Sequence, residues 1–233
     1  MFPFVTVPDW NPVGGRCRHD CYNGKCWASI LKRTYRMAKY AGEEPYIAEK
    51  ELKRKFSRGD FVFVEDMNDL LGSWVPIDMI LRVLNYTDHF PDTNFLFLSK
   101  NPKRYLEIIA SGCTFKNNHI LGATVETNRD MEDLSKAPSQ PERLECLNKL
   151  NAFARGKLFV SVEPIVDFDL NIFAEQLIKL TPWAAAVGYN NYDSANFHLP
   201  EPTLEKTQRL ILLLENAGIT VYRKTLRKAW QEQ

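Results

Sequence analysis

The sequence predicts an α/β protein built as a single partial (β/α)6–7 barrel of parallel strands, TIM-barrel-like in architecture. Three observations predict it. Short apolar runs rich in β-branched and aromatic residues alternate with longer helical patterns over the 233 residues. Those runs are apolar on successive residues rather than on alternate ones, which marks strands buried on both faces. Strand–helix alternation of that character builds a parallel sheet, either curled into a barrel or open and doubly wound.

The elements follow in order. The first apolar run is Phe2 to Val7, and a helix is expected from Trp27 to Tyr40 after an intervening cysteine-bearing loop. Phe61-Val62-Phe63-Val64 is the clearest strand, followed by a helix from Pro76 to Asn85. Asn94 to Leu98 precedes a helix opening at Pro102 and closing near Gly112, and Ile120 to Val125 precedes one from Pro141 to Ala154. Leu158 to Val162 leads to a helix near Leu170 to Leu180. Trp183 to Gly188 leads to one near Thr203 to Ala217, and Ile219 to Tyr222 closes the series. Prolines stand at or near several helix starts, where the missing N–H costs nothing, and Gly112 and Gly218 stand where helix ends favour a left-handed residue. There is no low-complexity tract, linker or internal repeat, so one domain over 1–233 is expected, with the cysteine loop at 14–27.

Composition narrows the function. The formal net charge is +1, which argues against a uniformly basic nucleic-acid binder while leaving room for a local patch. No apolar run reaches membrane-spanning length, and the first residues lack a signal-peptide pattern, so a cytoplasmic protein is expected. In that compartment clustered cysteines bind metal or do chemistry more often than they form disulfides.

In a β/α barrel the chemistry sits at the C-terminal ends of the strands. Here those ends carry Glu65-Asp66, Ser99-Lys100, Glu126-Thr127-Asn128, Glu163 with Ser161 inside its strand, Tyr189-Asn190-Asn191 and Arg223-Lys224. Polar residues arise wherever a strand leaves the core. Carboxylates abutting three separate buried strands are harder to dismiss, since desolvation is costly unless a ligand or counter-ion offsets it. Lys100 and Lys224 are the candidate counter-ions.

The stretch "RCRHDCYNGKCWA" leaves the first strand toward that same rim and holds Cys17, Cys21 and Cys26 in the spacing C-x3-C-x4-C. A structural zinc site takes four ligands, and His19 is the only nearby fourth. Three thiolates without a fourth suit a four-iron, four-sulfur cluster with one open iron. Gly24 lets the longer segment turn back, and Gly14-Gly15 allows backbone N–H groups to approach cluster sulfurs. Cys113 and Cys146 read as packing residues.

On these residues the chain resembles the radical S-adenosylmethionine superfamily. The usual spacing there is C-x3-C-x2-C, and the aromatic usually found before the third cysteine here follows it as Trp27. The stretches "DWNPVGGRC", "CWA", "FVFVEDMNDLL", "FLSKNP", "LGATVET" and "KLFVSVEPI" resemble, in order, a phage-type radical-SAM-like branch recorded as a domain of unknown function. The resemblance implies a 4Fe-4S cluster on Cys17, Cys21 and Cys26. It implies S-adenosyl-L-methionine at the open iron, cleaved to a 5′-deoxyadenosyl radical that takes hydrogen from an unknown substrate, with an external electron donor. Glu65 and Asp66 then stand where the superfamily binds the amino group of that cofactor. Ser99, Lys100 and Glu126 face its carboxylate and ribose, and Ser161 and Glu163 the ribose or substrate. A nucleic acid or a protein would fit a half-open barrel as substrate. Three alternatives stand beside this reading. One is a zinc-stabilised nucleic-acid-binding protein with Arg16, Arg18, His19, Lys25, Lys32 and Arg33 as its basic patch. The second is a barrel hydrolase with Glu126 and Glu163 as acid and base. The third is a degenerate radical-SAM fold with a non-catalytic cluster.

Overall fold

A computed structural model describes residues 2–154, 157–191 and 198–232. Seven parallel strands form one sheet: β1 (Val7–Trp10), β4 (Phe61–Val64), β5 (Asn94–Ser99), β6 (His119–Thr124), β7 (Leu158–Val162), β8 (Ala184–Val187) and β9 (Thr220–Arg223). Each pairs with the next in chain order, the topology of a curled half-barrel. Two short strands, β2 (Val13–Gly14) and β3 (Tyr46–Ile47), pair antiparallel beside it. The helices are α1 (Trp27–Thr34), α2 (Ile77–Thr87), α3 (Lys103–Ala110), α4 (Gln140–Asn151), α5 (Leu170–Lys179) and α6 (Leu204–Asn216).

Side-chain direction alternates along a strand, and the two sets of positions go to two cores. Val62, Val64, Phe95, Phe97, Leu121, Ala123, Val160 and Val162 pack with buried helix residues such as Ile80, Val83, Ile108 and Leu147. The alternate positions Phe63, Leu96, Ile120, Phe159, Ala184 and Ala186 form the inner layer. β6, β7 and β8 are buried at every residue, as their unbroken apolar runs require.

Two expectations about the N-terminal unit are corrected. The first strand is not Phe2 to Val7 but Val7–Trp10. Phe2 and Phe4 instead plug the inner layer: Phe2 meets Phe159 at 5.0 Å between ring centroids, and Phe4 meets Phe61 and Tyr222, each at 4.7 Å. Their apolarity reads as a strand because burial, not backbone pairing, selects it. The helix expected through Tyr40 ends at Thr34, where Tyr35 caps it and Arg36 turns left-handed at φ 46°, and a short 3-10 turn covers Ala38–Tyr40.

Helix starts follow local chemistry. Pro76 and Pro102 precede the first residues of α2 and α3. Ser139 and Glu142 form a reciprocal capping box at α4, a device worth about 1 kcal/mol.

Candidate functional site at the strand ends

A cleft of about 400 Å3 opens at the C-terminal ends of the strands. Cys17, Cys21 and Cys26 line it from the loop after β2. Glu65 and Asp66 line it from the end of β4, Lys100 from β5, Ser161 and Glu163 from β7, Asn190 from β8 and Lys224 from β9. Phe2 completes its wall from the inner layer. The sheet therefore brings together residues up to 222 positions apart in the chain.

The cysteine loop is held by its own backbone and by Asp69. Asp20, Tyr22, Asn23 and Gly24 all take left-handed conformations, with φ of 49°, 58°, 52° and 71°. This tight coil fits the longer Cys21–Cys26 interval into the rim. His19, buried between two cysteines, places Nε2 at 2.7 Å from Asp69 Oδ2 and its ring edge-on to Trp74. The same Asp69 oxygen accepts from Ser99 Oγ at 3.0 Å and the Lys100 amide at 2.9 Å. Burial opposes ionisation of Asp69, but these donors and His19 outweigh it and hold its pKa low. Asp69 thereby ties the cysteine loop to the ends of β4 and β5.

Gly14 and Gly15 have local packing partners. Gly14 sits in β2 against Tyr46, and the Gly15 amide donates to the Lys39 carbonyl at 2.9 Å. A Cβ on Gly15 would stand 2.6 Å from the Glu44 carbonyl oxygen, at a φ of 97°. Close backbone packing explains these glycines.

Glu65 is the most unusual group in the cleft. It is 2 % exposed and left-handed at φ 59°. One carboxyl oxygen accepts from the Val13 amide, and Oε2 has no hydrogen-bond partner. Burial pushes its pKa well above the usual carboxylate range, against the pull of the Val13 amide and Lys39. An orphaned buried carboxyl oxygen costs about 1–3 kcal/mol and can accept from a donor. Asp66 is also raised by burial, but its Oδ1 is already met by the Asn11 amide at 2.7 Å. Burial likewise raises Glu163, against the opposing charge of Lys224.

Two expected cleft residues lie elsewhere. Ser99 occupies a helix-facing position of β5, in step with Phe95 and Phe97, and its hydroxyl is engaged by Asp69 and the Asn101 amide. Glu126 is fully buried in an ion-pair network: Arg143 donates to Oε2 at 2.7 Å, while Lys100 and the Tyr22 hydroxyl donate to Oε1. Burial disfavours its charge, but Arg143 and Lys100 prevail and bring its pKa down to about 2. A carboxylate so held is no proton donor at neutral pH.

Arg143, Tyr22, Asp69 and Phe2 were not singled out from the sequence. A signal for Arg143 existed: it stands four and seven residues before Leu147 and Leu150, on the buried face of α4. A buried guanidinium demands a carboxylate. The supposed basic patch is largely engaged by neighbouring segments. Arg16 meets Glu43, Arg18 meets Glu44, Lys32 donates to the Met67 carbonyl and Arg33 to the Gly24 carbonyl.

The thiols fit a cluster. Burial pushes the Cys17 thiol up to about 12 and raises Cys21 too, so a metal's charge is needed to hold them as thiolates. Cys17, Cys21 and Cys26 all line the cleft; Cys21 bears electrostatically on Cys17, and Cys26 on Cys21. Among the described residues, no three Cys, His, Asp or Glu side chains close on one point as a single ion requires. His19, the fourth ligand of the zinc alternative, has its Nε2 engaged by Asp69.

The half-barrel is similar in fold to several solved structures. SuiB from Streptococcus suis, solved bound to S-adenosylmethionine, superposes with a TM-score of 0.56 at 13% identity, over 96% of this chain and 47% of SuiB. Spore photoproduct lyase complexed with dinucleoside spore photoproduct gives 0.56 at 12%, over 91% of this chain and 75% of the lyase. A radical SAM methyltransferase from Sphaerobacter thermophilus gives 0.54 at 13%, over 97% and 67%. The chain thus spans about half the length of SuiB. The chain belongs to the family described as Protein of unknown function (DUF5131), whose model matches residues 6–185. No curated protein matches the sequence.

Proposed function

We propose that this protein is a radical S-adenosylmethionine enzyme, with Cys17, Cys21 and Cys26 as ligands of a 4Fe-4S cluster. Held there, such a cluster would supply one-electron reduction of S-adenosylmethionine, the chemistry that yields a 5′-deoxyadenosyl radical able to take hydrogen from a substrate. The observation that carries the reading is the meeting, in one cleft, of three thiols with the orphaned carboxyl oxygen of Glu65. A ligand's ammonium group satisfies that oxygen and draws Glu65 into its ionised form, a charge-assisted contact formed where water is excluded. Asp66, held by Asn11, lends the same wall a second negative group. Lys100 faces the cleft with a cation suited to a carboxylate, and Ser161 and Glu163 offer hydroxyl and carboxyl partners to a ribose or a substrate. The electron comes from an external donor, and the protein's role is to orient cofactor and substrate and to keep water from the reacting atoms. Among the described residues no helix is long and apolar enough to cross a membrane.

The deciding experiment is anaerobic reconstitution with iron and sulfide, reduction, and addition of S-adenosylmethionine. The electron paramagnetic resonance spectrum of the reduced cluster should shift with the cofactor, and 5′-deoxyadenosine should form. A fully loaded cluster indifferent to S-adenosylmethionine by both spectrum and calorimetry refutes the enzyme and leaves a structural or electron-transfer cluster. Zinc without inorganic sulfide refutes the cluster.

A further inference from the structure

The interval Tyr22–Lys25, two residues longer than the usual spacing, turns Tyr22 inward to a residue exposure of 5 %. Its hydroxyl donates to Glu126 Oε1 at 2.8 Å and accepts from Lys100 Nζ at 2.6 Å, and Nζ lies 4.4 Å from the centroid of its ring. Lys100 also donates to Glu126, whose other oxygen is bound by Arg143. The side chains of Glu126, Arg143 and Lys100 are 0 %, 1 % and 14 % exposed. Two cations therefore share one carboxylate, and the network carries an excess positive charge where water screens little. The remaining partners of Arg143 are the Pro138 and Thr124 carbonyls and the Ser135 hydroxyl, none of them anionic. Asp69 meets the Lys100 amide, not its ammonium, and is engaged by His19. Tyr22, whose hydroxyl meets Lys100 Nζ, is the residue next to Cys21, and Cys21 and Lys100 line the same cleft. A buried excess charge is costly unless an opposite charge stands beside it.

We propose that Lys100, held in place by Tyr22 and Glu126, is a positioning residue that sets a positive charge against the Cys21 corner of the cluster and so favours its more negative, reduced form. This rests on the cluster reading above and concerns one further property, the reduction equilibrium. Reduction adds a negative charge to a group already ligated by three thiolates. A fixed cation at one corner stabilises the product of that step more than the reactant, and burial keeps the effect from being screened. The network fixes the cation without neutralising it, because its single carboxylate is shared with Arg143.

The test is a dithionite-poised redox titration of the reconstituted cluster, followed by its electron paramagnetic resonance signal, in wild type, Lys100→Met and Lys100→Arg. Lys100→Met should shift the reduction equilibrium at least tenfold toward the oxidised form, a fall of about 59 mV for one electron. Lys100→Arg should stay within threefold of wild type. A loaded Lys100→Met protein whose equilibrium lies within threefold of wild type overturns the proposal. If Lys100→Met takes up no cluster, the Lys100→Arg titration decides: an equilibrium within threefold of wild type upholds the proposal, and a larger shift overturns it. Failure of both variants to load overturns it, because packing and not charge is then what the position supplies. Absence of a cluster in wild type is a different result and refutes the ligand assignment itself.

Discussion

Replacing Glu126 by Gln tests the buried network most directly. The wild-type carboxylate titrates at about 2 in the folded chain, against 4.5 for the free group. At about 1.36 kcal/mol for each pH unit, that difference makes ionised Glu126 worth about 3 kcal/mol to the fold at neutral pH. The value agrees with the about 3–5 kcal/mol typically lost when one partner of a buried ion pair is removed. Because the folded pKa is depressed, the contribution is complete above the unfolded value of 4.5 and is lost as pH falls through 2. Gln mimics the protonated acid, so Glu126→Gln should cost about 3 kcal/mol at pH 7, and the gap between the two proteins should close on acidification. Urea unfolding followed by circular dichroism, at intervals from pH 7 to pH 3, measures the gap. Other carboxylates titrate alike in both proteins, so their effects drop out of the difference. A gap below about 1 kcal/mol at pH 7, or one that stays constant down to pH 3, would show that Arg143 and Lys100 do not hold Glu126 as described.

Further expectations concern the cleft and its wall. Glu65→Gln should weaken S-adenosylmethionine binding by calorimetry about 10- to 100-fold, the worth of one charge-assisted hydrogen bond. The same change should not destabilise the ligand-free fold above pH 7, because the raised pKa of Glu65 makes wild-type stability fall as pH rises above 4.5. Replacing Cys17, Cys21 or Cys26 by Ala should abolish the broad visible absorption of the reconstituted protein, whereas Cys113→Ala and Cys146→Ala should keep it; colour lost only in Cys113→Ala would show the wrong ligands. Phe2→Ala empties a site walled by Phe63 and Phe159 and should cost about 3 kcal/mol in denaturant unfolding, with an unchanged midpoint showing that the N-terminal plug is not part of the cooperative fold.

The sequence by itself determined the parallel half-barrel, the segments that form six of its seven strands, and the rim toward which the cysteines and most strand-end polar groups are directed. These properties are local: continuous apolar runs, helix caps and a two-residue side-chain period are all written in neighbouring positions. Even the helix-facing direction of Ser99 was available from that period, in step with Phe95 and Phe97. Only the tertiary structure decided how each polar group is used. Glu65 and Glu126 look alike as acids at the ends of apolar strands, yet one borders the cleft with a buried, unpartnered oxygen and the other is enclosed by Arg143, Lys100 and Tyr22. Tyr22 lies 104 residues from Glu126, and His19 lies 50 from Asp69. Phe2 and Phe4 read as a strand until the curled sheet offers them an inner layer to fill. The physical reason is common to these cases. Apolar burial depends on periodicity along the chain, whereas a buried charge is settled by whichever opposite charge the fold brings within hydrogen-bonding distance, and sequence separation carries no record of that distance.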